Sequence, residues 1–160
     1  MTTPAYLWVT PEGHKLSKRT LNMWNEAERI LGVQLPITQG EYNPGKVAAS
    51  AGAHDKGGAV DGKFKVKGAT TDEIVKALRR VGFAAWHRKP SQGPWPEHIH
   101  AVDIGNKDLS YVAKNQADAY LDGYNGLGHL GRGGKDDGPR NVVQTWEDYK
   151  KKHPKRFPPK

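Results

Sequence analysis

The sequence predicts a single small α+β domain in which helices flank a central antiparallel sheet. Its 160 residues suffice for one compact domain with a core of its own. Segments with helical and extended patterns follow one another in a mixed order, and no internal repeat is present. A hydrophobic fraction of 36%, with 19 glycines and 11 prolines, indicates short elements joined by many turns.

Three segments carry apolar residues at the three- and four-residue spacing of amphipathic helices. The first covers residues 17–31 and ends before Gly32. The second begins after Thr70 and Glu73, which have the spacing of a capping box, and ends at a glycine. The third spans about residues 108–121. We expect these helices to cover the sheet.

Short extended segments lie between and around these helices. Four ranges are predicted as strands: 35–40, 59–64, 83–87 and 98–102. The loop between residue 40 and His54 is rich in glycine, alanine and serine. It leads directly into candidate metal ligands, so we interpret it as the wall of a site.

The C-terminal part of the chain differs in composition from the rest. We expect residues 1–125 to form the functional domain. Residues 126–160 are predicted to be a glycine-rich linker and a basic extension, which packs on the domain or trails from it. Apolar residues within 139–150 favour a short helix there.

Charge and composition narrow the choice of partners. A formal net charge of +8 favours a polyanion: nucleic acid, an anionic membrane surface or an anionic cell wall. No segment approaches the roughly 20 apolar residues of a membrane span, so we expect no membrane insertion. The first residues lack the features of a secretory signal, which predicts a chain made in the cytoplasm. With no cysteine, a metal must be bound by nitrogen and oxygen ligands.

Two short motifs carry potential metal ligands. Six residues, two of them glycine, separate His54 from Asp61, and the segment Glu97-His98-Ile99-His100 follows later. Two imidazoles and one carboxylate form a ligand set that leaves Zn²⁺ an open position for water. Side chains alternate along a strand, so His98 and His100 share a face. Both can bind metal, or one can bind while the other acts on the bound water. The motifs predict a hydrolytic metal site.

These motifs resemble those of the LAS-type zinc peptidases. That group includes the D-Ala-D-Ala carboxypeptidases and dipeptidases, the penicillin-insensitive murein endopeptidases and many phage endolysins. Their pattern is S-x-H-x6-D followed by E-x-x-H or H-x-H, and the resemblance covers about residues 17–122. Two departures occur. Ser50 lies four residues before His54, where the family serine usually lies two before, and Ile99-His100 replaces a common Trp-His pair.

The resemblance implies a role for each residue of the two motifs. His54, Asp61 and His100 would bind zinc, whose bound water has a pKa near 7. Glu97 matches the glutamate of E-x-x-H, and His98 matches the first histidine of H-x-H. Either can act as the general base, and strand alternation supports His98. The choice between them stays open at this point.

Other residues are expected to contact the substrate. In the family, an Arg or Gln upstream of the first histidine polarises the scissile carbonyl, and Gln39 is the candidate here, with Lys46 as a weaker one. Trp86 and Trp95 are predicted to line the cleft. A place in the core is the alternative for Trp86.

The resemblance therefore implies a Hedgehog/DD-peptidase-like fold and a zinc peptidase that cleaves an amide bond in peptidoglycan stem peptides or cross-links. We expect a monomer that binds bacterial peptidoglycan and no nucleic acid. It would act at the cell wall after release, either as an endolysin of phage origin or as a bacterial wall enzyme, and its basic tail would be attracted to the wall. The alternatives are a metal-dependent nuclease and a noncatalytic, zinc-stabilised wall-binding module.

Overall fold

The computed structural model describes residues 4–47, 52–128, 132–140 and 143–160, so Ser50 lies outside the described residues. The strands are β1 (Trp8–Val9), β2 (Leu16–Ser17), β3 (Ile37–Gln39), β4 (Ala59–Gly62), β5 (Phe83–Arg88) and β6 (His98–Asp103). The helices are α1 (Lys18–Leu31), α2 (Thr71–Val81), α3 (Tyr111–Leu121) and α4 (Trp146–Lys152). The α+β class with antiparallel pairing is confirmed.

The helix ends follow from local sequence. The capping box that begins α2 is present, since Thr70 and Glu73 each accept a hydrogen bond from the other's backbone N–H. Gly32 ends α1 in the left-handed conformation, at a φ of 71°. The third helix starts at Tyr111, later than predicted, because the Ser110 side chain caps it by accepting from a backbone N–H in its first turn. None of the helices in the described ranges has the length and apolar character that a membrane crossing requires.

The main sheet has four strands in the order β3-β4-β6-β5, and every neighbouring pair is antiparallel. In this register Asp61 lies directly opposite His100 on the adjacent strand, and Arg88 lies opposite His98. Residues that pair across antiparallel strands point to the same face of the sheet. The register therefore places polar residues from three strands on one face.

Each face of the sheet packs against helices. Helices α1, α2 and α4 cover one face through a core that includes Trp24, Leu78 and Phe83. The other face packs on α3 through a smaller cluster that includes Trp86 and Tyr120. Asp61, His98 and His100 lie on this second face, beyond the edge of the smaller cluster.

The C-terminal residues 143–160 contact the body of the domain. Trp146 and Tyr149 of α4 are buried in the larger core cluster. Phe157 packs edge-on against Trp146, with ring centroids 5.1 Å apart. Arg156 donates from Nη2 to Glu26 of α1 at 2.6 Å. Apolar burial and this ion pair together fix the basic segment to α1.

Glu26 gives this attachment a pH dependence. Burial alone would raise the pKa of Glu26, but hydrogen bonds from Arg29, Tyr149 and Arg156 lower it to about 2. A carboxylate with a lowered pKa stabilises the fold above its unfolded value near 4.3, and this stabilisation is lost as the pH falls towards 2.

We therefore expect Glu26→Gln to reduce the free energy of unfolding at pH 7 by about 1–3 kcal/mol, because the exposed Arg156 and the buried Tyr149 both lose their contact with a buried carboxylate. The difference from the native chain should shrink as the pH falls from about 4.5 to 3, as measured by denaturant melts. Asp118→Asn is a matched control, since it removes one charge from an exposed pair with Lys114. A pH-independent difference would contradict this account of Glu26.

Candidate metal centre

Three of the predicted ligands meet in the interior of the domain. Nε2 of His54 lies 3.2 Å from Oδ1 of Asp61, and Nδ1 of His100 lies 2.7 Å from the same oxygen. All three residues are buried, and their ligand atoms lie within 4.8 Å of one another. Two imidazole nitrogens and a carboxylate oxygen at this spacing form a group that could hold a metal ion.

The backbone brings these residues together in two ways. Asp61 and His100 face each other through the register of β4 and β6. His54 precedes β4 and returns to the same point through a tight turn at Gly58, whose φ is 85°. A Cβ atom at Gly58 would lie 2.3 Å from the Leu109 side chain, so the turn needs a glycine both for its conformation and for space.

The outer nitrogen of each imidazole is held by an oxygen acceptor. Nδ1 of His54 donates to the carbonyl of Gly40 at 3.0 Å, and Nε2 of His100 donates to Oε1 of Gln116 on α3 at 2.8 Å. These bonds orient the rings so that Nε2 of His54 and Nδ1 of His100 face Asp61. Histidines that bind metals usually donate their other N–H to such an acceptor. The donor set and its supports thus fit a divalent metal.

The electrostatics of the group reflect its burial. Burial alone would raise the pKa of Asp61, but the charge and hydrogen bonds of His54 and His100 lower it well below its usual range. Burial opposes protonation of His54, yet the nearby Asp61 charge raises its pKa overall. For His100 burial dominates and the pKa is lowered. The two imidazoles are therefore coupled through the Asp61 carboxylate, and a metal ion bound there would displace protons from this group.

His98 lies next to this group on the same face of β6. Its Nε2 is 3.6 Å from Oδ2 of Asp61, and its Nδ1 donates to the carbonyl of Pro96 at 2.7 Å. The bond to Pro96 places the proton on Nδ1 and leaves Nε2 as the basic nitrogen. His98 thus presents a proton acceptor beside the three buried ligands.

Glu97 points to the opposite face of the sheet. Its Oε1 lies 2.7 Å from Nε2 of His87, and the His87 ring stacks on Phe64. Glu97 comes immediately before β6, and successive side chains of an extended chain point to opposite faces, so Glu97 and His98 point apart. The structure brings His98 to the ligand group and does not bring Glu97 there.

A cleft of about 790 Å³ opens over the group. Gln39, Lys46 and Trp95, the residues expected to contact the substrate, are among its lining residues. Trp86 does not line the cleft. It is 1% exposed and stacks behind His100, with ring centroids 6.1 Å apart, so the core alternative describes its place. Its role at the centre is to support the His100 ring from behind.

A β-bulge turns Gln39 towards the cleft. Ile37 pairs with Gly62, whereas Gln39 pairs with Asp61, so β3 has one more residue than its partner between these positions. The extra residue lets Ile37 enter the larger core while Gln39 shares the face of Asp61. The bulge thus explains how a strand of three residues places one side chain in the core and another at the cleft.

Sequence reasoning missed three contributors to the site. Gln116 and the Gly40 carbonyl hold the two ligand imidazoles, and nothing in their local sequence indicates this role. Glu41 also lines the cleft. Burial raises its pKa to about 7, and its Oε2 accepts from the backbone N–H of Ser17 at 3.0 Å, which ties the cleft wall to the start of α1.

Comparisons with protein-family models, with curated proteins and with solved structures found no match to this chain. The interpretation of the centre therefore depends on its own geometry.

We expect the metal-free protein to bind one Zn²⁺ per chain in a calorimetric titration, and His54→Ala to weaken binding by more than about 100-fold because one of three ligands is lost. His87→Ala is the control, since this histidine lies on the other face of the sheet. Equal affinity of the native and His54→Ala proteins would show that zinc binds elsewhere.

Gln116→Ala should lower zinc affinity by about 10- to 100-fold, because the outer nitrogen of His100 loses the acceptor that orients its ring. Competition with a fluorescent zinc chelator measures this change. Lys114→Ala, an exposed position on the same helix, should leave the affinity unchanged. An unchanged affinity in Gln116→Ala would mean that this bond does not position the ligand.

Proposed function

We propose that this protein is a zinc peptidase that hydrolyses an amide bond in the stem peptides or cross-links of bacterial peptidoglycan. We further propose that its α+β domain is a small member of the Hedgehog/DD-peptidase-like folds. One observation carries the proposal: a basic imidazole nitrogen, Nε2 of His98, lies beside the buried group of His54, Asp61 and His100 on the wall of an open cleft.

Zinc is the metal that suits this ligand set best. Two imidazoles and one carboxylate are a common set of protein ligands for catalytic zinc, and no thiolate is available in this chain. When bound, zinc polarises a carbonyl and lowers the pKa of bound water to about 7. The outward hydrogen bonds to Gly40 and Gln116 would keep the ligand imidazoles in the required tautomers.

His98 is the general base in this proposal. Its Nε2 takes the proton of the attacking water, and the Pro96 carbonyl stabilises the resulting imidazolium through the bond from Nδ1. The same nitrogen then gives the proton to the leaving amine. Glu97, which is paired with His87 on the other face, takes no part in this step.

Gln39 and the cleft walls would orient the peptide. Gln39 lies on the cleft face opposite Asp61, where its side-chain amide can donate to the oxygen of the scissile carbonyl as negative charge develops. Trp95, edge-on to His98 at 6.4 Å between ring centroids, and Lys46 offer contacts to the rest of the substrate.

The charge of the chain supports a wall polymer as the partner. A net charge of +8 and the basic residues of the C-terminal segment would draw the protein to a polyanionic wall. We propose that it acts there as a monomer after release from the cell that makes it, without binding nucleic acid.

Digestion of purified peptidoglycan, followed by mass spectrometry of the fragments, tests this function. We expect new amines to appear, to disappear with EDTA, and to form about 10²- to 10⁴-fold more slowly with His98→Ala, because the base is lost while zinc stays bound. Glu97→Gln is the matched control and should retain nearly full activity.

Two results would contradict the proposal. A loss of activity in Glu97→Gln but not in His98→Ala would transfer the role of base to Glu97. No release from walls of several chemotypes by the zinc-loaded native protein would favour a noncatalytic binding module, and salt-sensitive cleavage of DNA would favour a nuclease.

A further inference from the structure

Arg88 is a buried cation at the edge of the cleft. It is the last residue of β5, opposite His98 in the register, and shares the face of the ligand group. Its side chain is only 4% exposed, lines the cleft and lies over the Trp86 ring, 4.6 Å from its centroid. The stacking on Trp86 holds the guanidinium in place.

Arg88 differs from the other buried arginines in the described part of the chain. Arg19 pairs with Asp103, and Arg79 pairs with Asp136, each at 2.7 Å. Arg88 has no such ion pair, and its one hydrogen bond within the described residues runs from Nη1 to the carbonyl of Asn125 at 2.8 Å.

The lack of a counter-ion has an energetic consequence. Burial lowers the pKa of Arg88 to about 10, because the aspartates that attract it lie too far away to form ion pairs. A guanidinium has five N–H donors, of which one is used. Arg88 lines the cleft, and its remaining donors have no hydrogen-bond acceptor among the described residues.

We propose that Arg88 binds a carboxylate of the peptide substrate beside the metal centre. Its planar array of donors matches a carboxylate in a bidentate contact, and an anion bound there would act as the counter-ion of the guanidinium. This inference rests on the proposed peptidase function and names the feature of the substrate that the cleft recognises. The carboxylate has two sources: the C-terminus of a peptide and an acidic residue within it.

The first test is binding to the zinc-free protein, which avoids both turnover and direct contact of the carboxylate with zinc. The probes are two pairs of stem peptides. The peptides of the first pair end in either a carboxylate or an amide, and those of the second pair carry either a carboxylate or an amide on an interior D-glutamate. In one of these pairs, we expect the carboxylate form to bind about 10- to 100-fold more tightly than the amide form, as measured by calorimetry. The pair that does so identifies the source.

Variants assign this preference to Arg88. Arg88→Gln keeps a donor for the Asn125 carbonyl but removes the charge, and it should abolish the preference. Arg88→Lys keeps the charge without the planar fork and should retain a reduced preference. Arg80→Gln, an exposed position on α2 at the opposite face, is the matched control and should bind as the native protein does.

The outcomes separate this inference from the proposed function. Equal binding of both members of each pair by the native protein overturns it without any need for a variant. A preference that persists in a folded Arg88→Gln protein also overturns it. If the preference depends on Arg88 but no peptide is cleaved after zinc is added, the carboxylate site stands and the peptidase function fails.

With active enzyme, Arg88→Gln should raise KM for the preferred peptide and change kcat little.

Discussion

The carboxylate of Asp61 lies between two imidazoles in the interior of the domain, and the arrangement of the cleft depends on this contact. A buried carboxylate is costly unless charged or hydrogen-bonding partners surround it. Here His100 comes from the neighbouring strand and His54 from the preceding turn. The antiparallel register of β4 and β6 fixes the first partner, and the glycine turn fixes the second.

The surrounding fold keeps this contact rigid and leaves one side of it open. Helices α1, α2 and α4 bury one face of the sheet, so that the strands cannot shift their register without exposing a large core. On the other face, α3 supplies Gln116 to the outer nitrogen of His100, and Trp86 stacks behind the same ring. His98, Gln39 and Arg88 then line the space that α3 does not fill. The His100 ring is thus held by Trp86 and Gln116 while it also lines the cleft.

Much of this arrangement follows from the sequence by local rules. The capping box at Thr70 marks the start of α2, and alternation along 98–102 places His98 and His100 on one face. The remaining features depend on contacts between distant segments. The pairing of Glu97 with His87 requires the register of β5 and β6, and the bond from His100 to Gln116 requires the placement of α3. Local patterns carry no information on either contact, so sequence reasoning leaves Glu97 open as a base beside His98, which strand alternation supports, and it does not identify Gln116.

The claim that the three buried residues bind a metal through defined nitrogens is tested most directly by long-range ¹H–¹⁵N NMR of the imidazoles, recorded without and with zinc. The structure leads us to expect that zinc shifts Nε2 of His54 and Nδ1 of His100, while their outer nitrogens stay protonated towards Gly40 and Gln116. His98 should keep its proton on Nδ1 and remain unbound. Coordination through the outer nitrogens, or through His98 in place of His100, would contradict the account.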